Sequence, residues 1–502
     1  MRKGQPDRLP AHAGHWRRSN NCCKRYRCRW KMMELQHSST LEKLNDLAQR
    51  ALEINKTTNA QMEISLTNGF ERSIEVRANS IAGVQQQTKT KVTVRVYLGK
   101  KLGVATATSL SPQSIEETVR TAHELAKLAP EDDKFVSLPE PSSRKPAKIK
   151  GLYDEALATM DPSTVVETME DLIQGAKETH QQANTRSRLN INLSEKVIAN
   201  SLGILTETMT TSLNTFAFVS IPLSPQNVGV GSEFYVDRQW PKDFSFHDFG
   251  KTAAEKATKM LGAKIGPSKK LPVILDERAT FQTLAQIFGF GVNGYTVMTG
   301  ISYFADKIGA QLANEELTLW DDPHVDAGAS STAFDYEGVP TTKVNILEKG
   351  VLQSYVTDSY TAQALGLENT GNAGPGMRSS IPRPKIHQLQ IASGNVSKDE
   401  LYEDLKEGII LESGVEPAGG SPQISSQINR GFYVENGEIQ YPLKNTMLGS
   451  SVYEFLSGIT GISKELRKEF GHQAPTIMVK EVSIAGAGKK KNSGPTIVMR
   501  AD

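Results

Sequence analysis

Alternation of apolar and polar residues, broken by short turn-forming stretches, constrains this chain most. "QMEISLTNGFERSIEVRA" places Asn68-Gly69 between two alternating runs, and "KVTVRVYLGKKLGVATAT" sets Val92, Val94 and Val96 on one face ahead of a Gly99–Gly103 turn. Alternation returns from Leu189 to Ile221 around "NSLG" (Asn200 to Gly203), in "KVNILEKGVLQSYVTD" around Lys349-Gly350, and in "GFYVENGEIQYPLKN" around Asn436-Gly437. A period of two interrupted by such residues predicts β-hairpins, hence mainly antiparallel sheets. Further strands are expected in "PTIMVKEVSIAGAGKKKNSGPTIVMR", whose "AGAGKKKNSG" reads as a basic hairpin loop.

Helical spacing occupies the intervals. "SSTLEKLNDLAQRALEI", "SPQSIEETVRTAHELAKLA" and "DPSTVVETMEDLIQGAKETH" repeat apolar residues three and four apart behind Ser, Thr or Asp cap residues, with Asp161 as N-cap and Pro162 in the first turn. Another helix is expected over Phe246 to Leu261. A chain of 502 residues exceeds one ordinary core, so at least two domains are expected. The expected fold class is α+β. Residues 33–225 form an N-terminal domain of helices on a mainly antiparallel sheet, and residues 226–502 form a β-rich C-terminal domain with a few helices.

Charge and cysteine are concentrated in the head. Residues 1–31 carry ten Lys and Arg against Asp7 alone, a charge of +9, which leaves the rest of the chain at −7 from a total of +2. An acidic body gives no case for nucleic-acid binding. Cys22, Cys23 and Cys28 are the three cysteines; the body has none, which rules out a disulfide framework there and suits a reducing cytoplasm. Adjacent Cys22 and Cys23 suit tetrahedral zinc ligation with His12 and His15 poorly. Residues 1–32 are therefore set apart as a basic extension outside the fold: a tail, a leader, or a stretch ahead of a start at Met32 or Met33. No apolar run reaches the roughly 18 residues of a membrane span.

Familiar catalytic motifs fail on their mechanics. "GFGVNG" (Gly289, Gly291, Gly294) has dinucleotide-fingerprint spacing, yet it follows a helix, whose C-terminal pole repels an anion. "AGAGKKKNSG" lacks P-loop spacing, and neither G-x-S-x-G nor H-E-x-x-H occurs. "WDDPHVDAG" gathers Asp321, Asp322, His324 and Asp326, a set open to metal ligation, although aspartates beside proline and glycine favour a turn. His123 reads as a surface or boundary residue, and the isolated His472 as a surface or interface residue.

"VILDERATFQTLAQIFGFGVNG" carries a strand, then a helix that Asp276 can cap, with Phe281, Leu284 and Phe288 toward the core. Together with "AFDYEGVPTTKVNILEKGVLQSYVTDSYTAQALGLENTGNAG", "GFYVENGEIQYPL", "NSLG" and "VSIAG", it resembles the TldD/PmbA family over nearly all of residues 35–502. That resemblance implies an H-E-x-x-x-H zinc motif on this helix in the zinc-bearing, TldD-type members. Here the aligned stretch reads "AQIFGF": Ala285 and Phe290 replace the histidines, Gln286 replaces the general-base glutamate, and Gly289 is retained. Residues five apart diverge by about 140° on a regular helix, so joint ligation by such a pair needs a π-like turn, for which Gly289 supplies the freedom. Ala474 falls near the place of the zinc subunit's late cysteine.

Neither alanine nor phenylalanine has a lone pair for zinc, and glutamine takes no proton from metal-bound water. The resemblance therefore implies a metal-free, PmbA (TldE)-like subunit, with no catalytic residue of its own. It would pair in the cytoplasm with a TldD-like zinc subunit that cleaves peptides or unfolded segments inside a shared chamber. The glycine-rich loop Asn369, Thr370, Gly371, Asn372, Ala373 and Gly374 is the candidate for substrate or partner contact, against a plain structural turn. The alternatives are an autonomous hydrolase centred on Asp321, Asp322 and His324, or a binding protein of the gyrase-modulator type.

Overall fold

A computed structural model describes residues 37–56, 58–376 and 380–486; the basic head, its cysteines and the "GKKKNSG" stretch lie outside them. The fold is α+β. The first sheet has seven strands: β1 (Gln61–Arg77), β2 (Ser80–Thr88), β3 (Lys91–Leu98), β4 (Lys101–Ala107), β5 (Asn184–Asn200), β6 (Leu205–Ser224) and β7 (Asn227–Asp237). Their order is β4-β3-β1-β5-β6-β7 with β2 paired on β1, and every pairing is antiparallel. The hairpin turns after Leu98 and Asn200 stand where the sequence places them.

Asn68-Gly69 is not a turn. β1 runs straight through it, Asn68 opposite Glu195 and Gly69 opposite Ser194. Met62, Ile64 and Leu66 before the pair, and Phe70, Ile74 and Val76 after it, are all buried even-numbered positions. A two-residue turn would have reversed that phase. Gly69 is needed instead for close approach, since a Cβ there would stand 1.9 Å from the Leu193 carbonyl oxygen. The turn itself is Ala78-Asn79, both with positive φ (47° and 60°), and the Asn79 side chain binds the backbone of Ala183 and Thr185 at 2.8 Å each.

One face of this sheet carries two helical layers. Helices α1 (His37–Asn55) and α2 (Pro112–Leu128) bury Leu44, Ile115 and Val119 against β1, β3 and β4. The short α3 (Glu155–Ala158), α4 (Pro162–Thr179) and α5 (Phe246–Lys259) bury Leu157, Leu172 and Phe249 against β5, β6 and β7. Ser111 and Asp161 cap α2 and α4 through backbone amides two or three residues on. α4 and α5 touch backbone to backbone: a Cβ at Gly175 would meet the His247 carbonyl, and one at Gly250 the Leu172 carbonyl, each at 1.9 Å. Both β7 and α5 lie past residue 225, where the sequence suggested the first domain would end, so the first sheet and its helices continue to about Lys259.

The second unit is built on a twelve-stranded sheet. β8 (Lys269–Leu275) lies inside it, antiparallel to the long strand His472–Gly486 and parallel to Glu407–Leu411. Ile274 and Leu275 are wholly buried, as are Ile477 and Val479. The hairpins at Lys349-Gly350 and Asn436-Gly437 form as the sequence indicates, all four residues with positive φ. Among the described residues no helix is long and apolar enough to cross a membrane.

Candidate functional site

β8 delivers the chain into helix α6 (Glu277–Gly291), where Asp276 accepts the Ala279 amide at 2.7 Å as N-cap. Leu284, Ile287 and Phe288 are fully buried in the core of the second unit. The opposite side shows half-buried Ala285 and exposed Gln286. Phe290 packs on the Tyr303 ring at 5.5 Å and closes over Gly420, where a Cβ would lie 2.7 Å from its Cζ. The helix is regular α through Gly291; no π-like turn forms at Gly289, so Ala285 and Phe290 diverge as five-residue spacing dictates.

The two positions that the resemblance aligns with zinc-ligating histidines carry a methyl group and a phenyl ring, neither with a lone pair for a metal, and they point apart. Among the described residues, no group of three or more His, Cys, Asp or Glu is placed to hold a metal ion.

α6 instead forms part of the wall of a cleft of about 520 Å³ between the two units. Phe218, Val230 and Phe234 line it from the helix-free face of β6 and β7, facing Arg278 and Gln282 of α6 and Arg430 of the second unit. Arg278 is the bridge: its guanidinium binds Glu233 of β7 at 2.7 Å and Glu469 at 2.6 Å. Lys256 of α5 also pairs with Glu233. Burial opposes ionisation of Glu233, but Arg278 and Lys256 outweigh it and hold the carboxyl below its usual range. Sequence reasoning missed this assembly. The available signal was Glu233 itself, in phase with buried Gly229 and Gly231, because a charge on a buried face needs a partner.

A second cavity, of about 100 Å³, holds Phe281, Gln282, His472 and Ala474 together. Ala474 thus faces the first half of α6, and His472 is half-buried in a cavity that Phe234 of the first sheet also lines. Its ring lies 4.2 Å from that of Phe281, its Nδ1 is 3.3 Å from the Leu389 carbonyl, and burial pushes its pKa down to about 4. A histidine depressed in the fold takes up its proton more readily in the unfolded chain. Its stability contribution is therefore intact above pH 6.5 and is lost as pH falls from 6.5 toward 4. The loss amounts to roughly 3 kcal/mol. Denaturant titrations at stepped pH check this: His472→Gln should flatten the stability curve in that window, and an unchanged slope would contradict the assignment.

The glycine-rich loop is knitted into the protein. Thr370, Gly371, Asn372, Ala373 and Gly374 are buried, and Asn369 is half-buried. Thr370 exchanges hydrogen bonds with Thr357. The Asn372 amide donates to Asp321 at 2.7 Å and to the Lys385 carbonyl at 2.8 Å, and the Ala373 amide donates to Asp335 at 3.0 Å. Gly371 (φ 70°) approaches the Pro340 carbonyl too closely for a side chain. The hydrogen-bond donors of Thr370, Asn372 and Ala373 are thus directed at their own chain, while the buried Asn372 Oδ1 has no hydrogen-bond partner.

The aspartate-rich loop serves the same turn. Asp321 accepts from the amides of His387 and Gln388 as well as from Asn372. Asp322 accepts the His324 amide, Asp326 accepts the Lys150 amide, and the His324 ring meets the Thr341 hydroxyl at 3.0 Å. Proline and glycine make it a turn, as its composition suggests.

Two models of one family match the chain: "PmbA/TldA metallopeptidase C-terminal domain" over residues 268–486 and "PmbA/TldA metallopeptidase domain 1" over residues 62–126. The chain is 25% identical to Metalloprotease PmbA of Escherichia coli O157:H7 over 465 residues, 88% of this chain and 96% of that protein. It is 28% identical to the Metalloprotease TldD homolog of Buchnera aphidicola subsp. Acyrthosiphon pisum over 235 residues, 46% of this chain and 48% of that one. Among solved structures, TldE from Thermococcus kodakarensis superposes with a TM-score of 0.76 at 24% identity, covering 88% of this chain and all of that one.

Proposed function

This chain belongs to the PmbA/TldD metallopeptidase family, and on that premise we propose that it is the metal-free, PmbA (TldE)-type subunit of a zinc metalloprotease complex. Its partner is a TldD-type subunit carrying the zinc and the catalytic groups. The pair works in the cytoplasm on peptides or unfolded segments, and this chain supplies part of the wall of the substrate chamber. The observation that carries the reading is helix α6, which holds Ala285, Gln286 and Phe290 where the resemblance implies H-E-x-x-x-H in the zinc-bearing members. The near full-length likeness to a protein named PmbA supports the same reading.

Co-expression with an H-E-x-x-x-H homologue from the same organism tests it. Light scattering on the eluted complex should give one copy of each chain, and an unstructured peptide should be cut by the complex but by neither chain alone. Chelator-sensitive cleavage by this chain alone, or failure of the two to associate, would overturn the proposal.

A further inference from the structure

Four buried carboxylates meet at the seam between the two units: Glu63 of β1, and Asp335, Glu337 and Asp358 of the second unit, each 1–3% exposed. The turn at residues 335–339 carries two of them onto the first sheet, where a Cβ at Gly338 would lie 2.6 Å from Ile204. Against them stand Arg95 and Lys196 of the first sheet and Arg383, which stacks 4.1 Å from the Tyr295 ring. The carboxylates outnumber the cations that face them. A buried carboxyl without a partner charge keeps its proton instead of ionising.

The hydrogen bonds show which oxygen that is. Both Glu63 oxygens accept from Arg95, and the two Asp335 oxygens accept the amides of Glu337, Val339 and Ala373. One Glu337 oxygen accepts the Ser359 amide at 2.9 Å, and the other stands 3.6 Å from Arg95. Asp358 caps the short helix Ser359–Leu365 with Oδ1, which accepts the Thr361 amide at 2.8 Å and its hydroxyl at 2.6 Å. Its buried Oδ2 has no hydrogen-bond partner. Burial first, and the facing Glu337 second, push the Asp358 pKa from 3.8 up to about 6. Burial raises Glu63 and Asp335 as well, but a proton on either would displace an N–H donor.

We infer that Asp358 Oδ2 is a proton-holding latch: protonated, it faces Glu337 without repulsion, and on losing the proton it loosens helix Ser359–Leu365 from the first unit. That helix makes the contact through Tyr360, whose hydroxyl donates to Asp132 at 2.8 Å, and through Gln363, which exchanges hydrogen bonds of 3.2 and 3.0 Å with the Ser137 backbone. The charged and titratable groups around it are Glu337 and Asp335 of the turn, Arg383 with Tyr295, Asp132, and Glu63, Arg95, Tyr97 and Lys196 of the first sheet. A carboxyl raised in the fold binds its proton more tightly closed than open. Closure is therefore favoured in full below pH 3.8 and weakens as pH rises through 6. His472 acts in the opposite sense over an overlapping range, so the readout has to be local. The latch belongs to this chain alone and stands whether or not the proposed zinc partner exists.

Amide exchange of the full-length chain, corrected for intrinsic rates, reads the latch at residues 132–138 and at Ser359–Leu365. Opening there should be about tenfold more frequent at pH 7.5 than at pH 5 in the parent. It should be independent of pH in Asp358→Asn, which keeps the helix cap through its amide oxygen. Infrared difference spectra over the same range should show a carboxylic-acid carbonyl band titrating near pH 6, absent from Asp358→Asn. Equal pH dependence in parent and variant, no such band, or a band that survives the substitution would overturn the inference. Glu337→Gln removes the facing charge and should lower the midpoint of the band; an unchanged midpoint would also count against it.

Discussion

Arg95→Met is expected to lower the stability of this protein by about 3–5 kcal/mol, because it strips the cation from a fully buried ion cluster. Arg95 on β3 is 3% exposed and grips Glu63 of β1 with two hydrogen bonds, of 3.0 and 2.5 Å. It also stands 3.6 Å from Glu337 of the second unit, and both carboxylates are buried with it. Lys196 of β5 lies 3.4 Å over the Tyr336 ring, and burial pushes its pKa down to about 8. The cluster joins the first sheet to the second unit, so both should loosen together. Urea titration followed by tryptophan fluorescence and by far-ultraviolet circular dichroism reads the loss. Adding Glu63→Gln to Arg95→Met should recover part of it, since one stranded charge is removed. A midpoint within error of the parent would refute the cluster's role.

Asp321→Ala is the second large effect. Asp321 is fully buried and receives the amides of His387 and Gln388 and the side-chain amide of Asn372. Hydrogen bonds to a charged acceptor contribute about 1.5–3 kcal/mol each, and donors left unmet inside the protein cost more than donors never formed. A loss of about 3–5 kcal/mol is expected on that basis. The damage should concentrate at Asn369–Gly374, so limited proteolysis should open that loop before the rest of the chain. A loss below about 1 kcal/mol would mean the three donors find water instead. Asp321→Asn keeps one acceptor oxygen and should fall between the two.

The contrast between these residues and the sequence reading is physical. Local chemistry was legible: Asp161-Pro162 opens a helix, Asp276 caps α6, and Lys349-Gly350 and Asn436-Gly437 turn hairpins. Asn68-Gly69 misled because a turn dipeptide was weighed apart from the phase of its flanks, which continues unbroken across it. The glycine-rich loop and the aspartate loop each looked available alone. Folded, they are joined by the hydrogen bond from Asn372 to Asp321, and nothing local reveals that the two will meet. The cleft was illegible for the same reason: Phe234, Arg278 and Arg430 converge from three distant stretches of chain. α6 can be compared with H-E-x-x-x-H directly in the sequence, because that pattern spans six consecutive residues.

Elemental analysis for zinc tests the central claim most directly, on this chain purified alone and on its complex with a co-expressed H-E-x-x-x-H homologue. The account predicts no stoichiometric zinc on the isolated chain and about one zinc per heterodimer, the tetrahedral site lying wholly on the partner. Stoichiometric zinc on the isolated chain would contradict it, and would place a metal site on residues other than Ala285, Gln286 and Phe290.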